Sequence, residues 1–583
     1  MTHSLLRAAT IVAALATTTS AQHVELITNG VNGQSNEGSL YPEITADGRY
    51  IVFQSAASNL VPGDTNSAPD SFMFDRETKT TRRVTVRSDG SQANQGGLEP
   101  VISLDNRYVT FYSFSNDLVA GDTNGSADCF LHHLPTGATT RVSVATDGTQ
   151  GNGGSRYPVL SSSGRYVAFE SASNNLVPND ANGSRDVFLH DRVTGVTSRV
   201  SETAGGVEGN ADSVDAFISP DGRYVVFESE ADNLVPNDTN GVKDVFLKDL
   251  QTGVLTRVSV DTAGVEGNGI SENASIDEGG SKVAFASYAN NLVAQDANGY
   301  EDLFLRDLTS GVTERINLST GGGQGHVGAY EPTLSPDGGF VVFFSAASNH
   351  VPGDSNSQLD VFVRDLVNDT TERVSVGDLG QQGFGECFYP AISPGGRYVV
   401  YDSASDNLIL DDTNGYRDIF LYDRFSPFRP FCAGDGTQVV PCPCGNDGSP
   451  GRGCKNSSGG DGGALVASGD PEDDEVLLTM AGLPQATVVV FLQARNDNTP
   501  GVSFGDGVLC SSGAVRRLYT KAVVGGTVVA PGPGDPTILM RAAATGDPIQ
   551  SGETRVYQGF YRDSTPFCTP AGFNATNGIE ISW

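Results

Sequence analysis

The run "NDTNGVKD" (residues 237–244) sets two carboxylates, Asp238 and Asp244, around Asn240 and Gly241. Three side-chain oxygens round one tight turn suit a hard cation. Calcium takes six to eight oxygen ligands from carboxylates, amides and backbone carbonyls. The first Asp recurs at Asp64, Asp122, Asp180, Asp296, Asp354 and Asp412. The Asn recurs at Asn66, Asn124, Asn182, Asn298, Asn356 and Asn414, and the last Asp at Asp70, Asp128, Asp186, Asp302, Asp360 and Asp418. A second reading needs no metal. Asp and Asn accept hydrogen bonds from nearby backbone amides, and Asn tolerates left-handed geometry, so the motif would be a hairpin latch. Gly follows Asn in five of the seven copies, with Ser67 and Ser357 as exceptions. Paired carboxylates repel unless screened or chelated, which argues against a latch alone. Both readings stay open.

The elements that position these loops follow from their period. Aligned on the aromatic of "GRYVVFES", the copies fall at Phe53, Phe111, Phe169, Phe227, Phe285, Phe343 and Tyr401, every step 58 residues. Each copy carries four strand-like pieces; in the fourth these are "DAFIS", "RYVVFES", "DVFLKDL" and "LTRVSV". They are rich in β-branched and aromatic residues and separated by "PDG" and "QTG" turns. A unit of this size has too little core to stand alone. The reading is all-β, a seven-bladed β-propeller over residues 22–425. The seventh copy lacks its fourth strand. "ELIT" (residues 25–28) aligns with "RVSV", so the N-terminal strand is expected to close the last blade and remove free edges.

"SPDGRYVVFES", "DVFLKDLQTG" and "TRVSV" together resemble the WD-like repeats of TolB-type β-propellers. That resemblance covers residues 22–425 and implies the propeller fold with a role in protein interaction; related propellers front certain peptidases. The acidic loop is similar to the calcium hairpins of integrin-type propellers. It departs from them at the leading carboxylate, where Pro62, Ala120, Pro178, Pro236, Ala294, Pro352 and Leu410 stand.

A single reaction or recognition site needs residues that break the repeat. The opening of each first strand does so: Tyr41, Glu99, Tyr157, Asp215, Asn273, Glu331 and Tyr389. These are the candidate binding residues, because tyrosines among acids can carry recognition energy; packing between blades is the other reading. His132 and His190 hold equivalent positions beside His133, and paired imidazoles suit zinc. Lys248, Arg306 and Arg364 fill that slot elsewhere, so they read as solvated strand positions. No nucleophile elbow, zinc helix, P-loop or dinucleotide fingerprint occurs. Carboxylates on one face leave a glycosidase or lyase open.

The net charge of −34 offers no basic stripe to nucleic acid. Residues 1–21 read as a signal peptide, with Arg7, an apolar run and a small-residue cleavage site. No other segment reaches transmembrane length. Export permits disulfides among Cys432, Cys442, Cys444, Cys454, Cys510 and Cys568, with Cys129 and Cys387 read as buried thiols. Residues 426–431 read as a linker. Residues 432–583 read as a cysteine-rich β-sandwich built from "DEVLLTM", "TVVVFLQAR", "TILMRAA", "TRVYQGFYR" and "GIEISW". "CPCGNDGSPGRGCKNS", "FGDGVLC" and "FCTPAGFNATNGIEISW" resemble a C-terminal module of exported planctomycete-type proteins.

These readings point to an exported binding or scaffold protein whose propeller meets an extracellular protein or polysaccharide without turnover. An extracellular carbohydrate-active enzyme and a structural envelope component are the alternatives.

Overall fold

The computed structural model describes residues 23–583 except 32, 378–379, 410–411, 427, 432–441, 443–447, 450–451, 457–461, 470, 472–473, 485–486, 505, 513–514, 524 and 563–572. The signal-peptide reading therefore lies outside the described residues. The chain divides into two compact units, His23–Arg424 and Phe425–Trp583. Among the described residues no helix is long and apolar enough to cross a membrane.

Among the described residues the first unit holds seven four-stranded antiparallel sheets and a two-stranded one of Asn29–Gly30 and Gly33–Gln34. The fourth runs Ser213–Ile218, Tyr224–Ser229, Asp244–Asp249 and Leu255–Arg257, with Phe227 opposite Phe246 and Phe246 opposite Arg257. The two phenylalanines stack at 5.8 Å and are fully buried. The same cross-strand aromatic pair recurs in every sheet, as Phe53–Phe72 at 5.9 Å and Tyr401–Phe420 at 6.2 Å. Such pairs are the units that hold neighbouring strands together.

One sheet cannot bury both of its apolar faces. Ala168, Val187 and Val200 of the third sheet share a core with Ile218, Val225 and Phe227 of the fourth. Ala391, Val400 and Ile419 of the seventh sheet share another with Ile44, Ile51 and Phe53 of the first. The row of sheets thus closes on itself.

Closure uses the N-terminal strand, His23–Leu26, which pairs with Asp418–Asp423 as the outer strand of the seventh sheet. Its register differs by one residue from the alignment of "ELIT" with "RVSV". Leu26 lies opposite Phe420, as Arg257 lies opposite Phe246, so Thr28 takes the place of Ser259. The hydroxyls decide this. Thr28 donates to Asp418 Oδ1 as Ser259 donates to Asp244 Oδ1. A one-residue slip would turn every side chain to the opposite face.

The second unit has a five-stranded sheet ordered Phe428–Phe431, Phe573–Ser582, Thr554–Arg562, Val488–Ala494, Arg516–Ala522, and a three-stranded sheet of Ala464–Ser468, Leu477–Ala481, Val528–Ala530. Leu465, Leu478 and Met480 share a core with Phe491, Tyr557, Ile579 and Trp583. Phe428–Phe431, read as linker, is a strand paired to the chain's last one. "TILMRAA", read as a strand, is a helix over Ile538–Ala544; the Thr537 hydroxyl accepts from the Met540 N–H and caps it. Cys442 and Cys454 form a disulfide, and Cys510 is disulfide-bonded. Cys432, Cys444 and Cys568 lie outside the described residues. Cys129 and Cys387 are free and buried.

Candidate functional site

The acidic loops join the second and third strands of each sheet. In the fourth, Asn240 Nδ2 donates to Asp244 Oδ2 at 2.8 Å and to the Gly267 carbonyl at 2.9 Å. Its Oδ1 accepts from the Val242 N–H at 3.0 Å, an Asx turn. Arg257 Nη1 lies 3.2 Å from both Asp238 and Asp244 and 2.8 Å from Glu266. The guanidinium fills the place between the carboxylates that a metal would share. Arg83, Arg141, Arg199, Arg315 and Arg373 do the same in five other loops. The donor set of these six loops does not fit calcium, because the protein already supplies the cation. Among the described residues no group of three or more His, Cys, Asp or Glu is arranged to hold a metal.

The seventh loop differs. Leu26 stands where the arginine would be. Asn414 still donates to Asp418 Oδ2 at 2.7 Å, while Asp412 Oδ1 is buried with no hydrogen bond among the described residues. Burial, then the charge of Asp418, pushes the Asp412 carboxyl up to about 6.

His132 and His190 are buried, contrary to the solvated reading. His132 and His190 are 5% and 7% exposed, and each Nδ1 bonds a threonine hydroxyl of its own sheet, Thr139 and Thr197, at 2.9 Å. His350 occupies the core position held by Leu234 and Leu292 in earlier repeats, between Phe343 and Phe362. Neither of its ring nitrogens has a hydrogen bond among the described residues.

The residues that break the repeat share one backbone geometry. Tyr41, Glu99, Tyr157, Asp215, Asn273, Glu331 and Tyr389 all adopt φ between 46° and 54°. Each sits in a break of strand register, as between Val214 and Phe217 in the fourth sheet. Bulges of this kind re-aim a side chain. Some N–H groups at these breaks are held by the preceding sheet: Glu99 N donates to Gln54 Oε1 at 3.2 Å and Asn273 N to Glu228 Oε1 at 2.5 Å.

Tyr41, Glu99, Glu331 and Tyr389, from four sheets, line one recess of about 190 Å³ with Pro42, Pro100 and Pro390. The Tyr41 and Tyr389 rings lie 4.3 Å apart. Tyr157 and Asp215 do not line it but act on Glu99 through space. Burial pushes Glu99 up to about 8, with Asp215, Glu170 and Glu331 adding repulsion; burial and Asp215 push Glu331 up to about 7. Burial, its hydrogen bond to Tyr389 and nearby carboxylates raise the Tyr41 phenol strongly.

Sequence reasoning missed Glu43. It lines this recess and a second cavity of about 90 Å³ walled by one aliphatic residue from each sheet, Ile44, Ile102 and Leu160 through to Ile392. Burial alone pushes its carboxyl up to about 7. The signal was in the column: the same slot holds Val101, Val159, Phe217, Ser275, Thr333 and Ala391.

No family model and no curated protein matches the chain. Solved structures do. An oligogalacturonate lyase in complex with manganese aligns at 12% identity and TM-score 0.43, covering 70% of this chain and 98% of that one. The β-propeller domain of the trilobed protease from Pyrococcus furiosus aligns at 9% and 0.42, covering 66% and 95%. A putative TolB from Agrobacterium tumefaciens aligns at 15% and 0.31, covering 51% and 88%. The repeated four-stranded sheets of this chain resemble those of β-propeller proteins.

Proposed function

We propose that the seven sheets are blades of a seven-bladed propeller, that the second unit is a disulfide-bonded β-sandwich, and that the exported protein is a binding protein. Its partner is an extracellular protein or polysaccharide, received at the mouth of the ring. One observation carries this reading. The motif kept in every copy has its carboxylates held by an arginine of its own sheet in six of the seven, whereas the residues that differ between copies, Tyr41, Glu99, Glu331 and Tyr389, converge on one recess.

A catalytic reading draws on the raised carboxyls of Glu43, Glu99 and Glu331, since shifted acids gather at active sites.

The test is retention of polysaccharides and extracellular proteins by the immobilised full chain, beside a Tyr389→Ala chain that melts normally. Retention lost in the variant supports the mouth as the site. Retention undiminished in the variant refutes it, and sugar release abolished by Glu43→Gln would establish the catalytic reading instead.

A further inference from the structure

The mouth holds acids that have no cation of their own. Arg185 is paired with Glu170 and Asp212, Lys243 with Glu228 and Glu272, and Arg417 with Asp402. Arg156 lies over the Phe114 ring at 5.6 Å and acts on Glu99 through space, without an ion pair to it. Among the described residues no ion pair reaches Glu99 or Glu331. Two of these paired carboxylates are buried: Glu170 is 4% exposed and Asp402 is 0% exposed. Glu170 acts on Glu99, and Glu331 on Asp402, through space.

Aromatic rings continue from the recess into the core shared by the sixth and seventh sheets. Tyr41 meets Tyr389 at 4.3 Å, Tyr389 meets Phe388 at 6.1 Å, and Phe388 meets Phe344 at 5.3 Å. Carboxylates beside aromatic faces are the chemistry that recognises ammonium and guanidinium groups. A neutral sugar would stack on the rings and leave the carboxylates uncompensated; an anionic sugar would be repelled. The recess holds about six waters at about 30 Å³ each, room for the end of one side chain. Phe114, edge-on to Tyr112, and Tyr288 are 49% and 52% exposed.

Resting on the binding reading above, we propose that the partner is a basic protein segment whose lysine or arginine side chain enters between Tyr41, Tyr389, Glu99 and Glu331. The charge of −34 steers such a segment toward the ring.

The test is calorimetric titration of the full chain with tetralysine, tetraarginine, tetraglycine and chitosan tetramer at low salt. The charged peptides are expected to bind and tetraglycine not to. The Glu99→Gln/Glu331→Gln chain should bind them about tenfold or more weakly, and Tyr389→Ala should weaken them too. Glu278→Gln, at an exposed acid elsewhere, should change nothing. Equal weakening by Glu278→Gln, no binding of either peptide, or preference for chitosan tetramer overturns the proposal. Retention of a neutral polysaccharide that survives the double variant but fails in Tyr389→Ala overturns the cationic class and leaves the binding reading standing.

Discussion

Thr28 donates its hydroxyl to Asp418, 390 positions along the chain, and accepts from the Ile419 N–H at 3.2 Å. That one side chain sets the register of the closing strand. Thr28→Val keeps the shape and removes both bonds, leaving Asp418 Oδ1 with Ser35 alone, at 2.8 Å. The expected cost is about 1–3 kcal/mol, read as a lower denaturant midpoint. An unchanged midpoint would mean that the ring is held elsewhere.

Leu26 leaves Asp412 and Asp418 without the arginine that every other loop has. The folded pKa of Asp412, about 6, lies above its ordinary 3.8, so the folded state holds the extra proton between about pH 6 and pH 4. This loop therefore gains stability as pH falls through that window. Leu26→Arg is expected to raise the melting temperature at neutral pH and to give little at pH near 4. Equal shifts at both pH values would contradict the assignment.

Arg257 sits among three carboxylates. Arg257→Met leaves buried charge unpaired and should cost about 3–5 kcal/mol in a denaturation experiment. Because guanidinium groups already occupy six loops, EDTA should leave the wild-type melting temperature unchanged. A fall in that temperature which calcium reverses would show that metal, not arginine, holds the loops.

His350 replaces a leucine in a packed core, with both ring nitrogens lacking hydrogen bonds among the described residues. Burial, then nearby His326, lowers its pKa from 6.5 to about 4. The unfolded state takes the proton first, so this position loses stability as pH falls from about 6.5 to about 4. His350→Leu should stabilise the chain by about 1–3 kcal/mol at pH 7 and by more at pH 5. Melting scans at both pH values check this; a smaller gain at pH 5 would contradict it.

The 58-residue period, the strands and the need for closure were legible, because a residue repeated without insertion marks its own place. The closing register was not. "ELIT" is apolar enough to fit at either of two offsets, and only the match of the Thr28 hydroxyl with Ser259 separates them. "TILMRAA" failed for a related reason: seven mostly apolar residues suit a buried strand or a short helix, and the Thr537 cap is the one clue. The latch was half legible. Its Asp and Asn stand close in sequence, but Arg257 comes 13 residues after Asp244, on another strand. In the mouth, the seven varied residues were visible as a column. Their left-handed backbone and the convergence of four of them were not, since both arise from how the sheets meet.

The central claim is that Glu99 and Glu331 receive a cation, and the pH dependence of tetralysine binding tests it most directly. With carboxyls at about 8 and about 7, both are largely protonated at pH 6 and ionised at pH 9. Affinity measured by calorimetry between those limits should rise by about tenfold or more, and in the Glu99→Gln/Glu331→Gln chain the rise should shrink to what Glu43, at about 7 in the same recess, supplies. A flat profile, or the same rise in the double variant, would contradict the account.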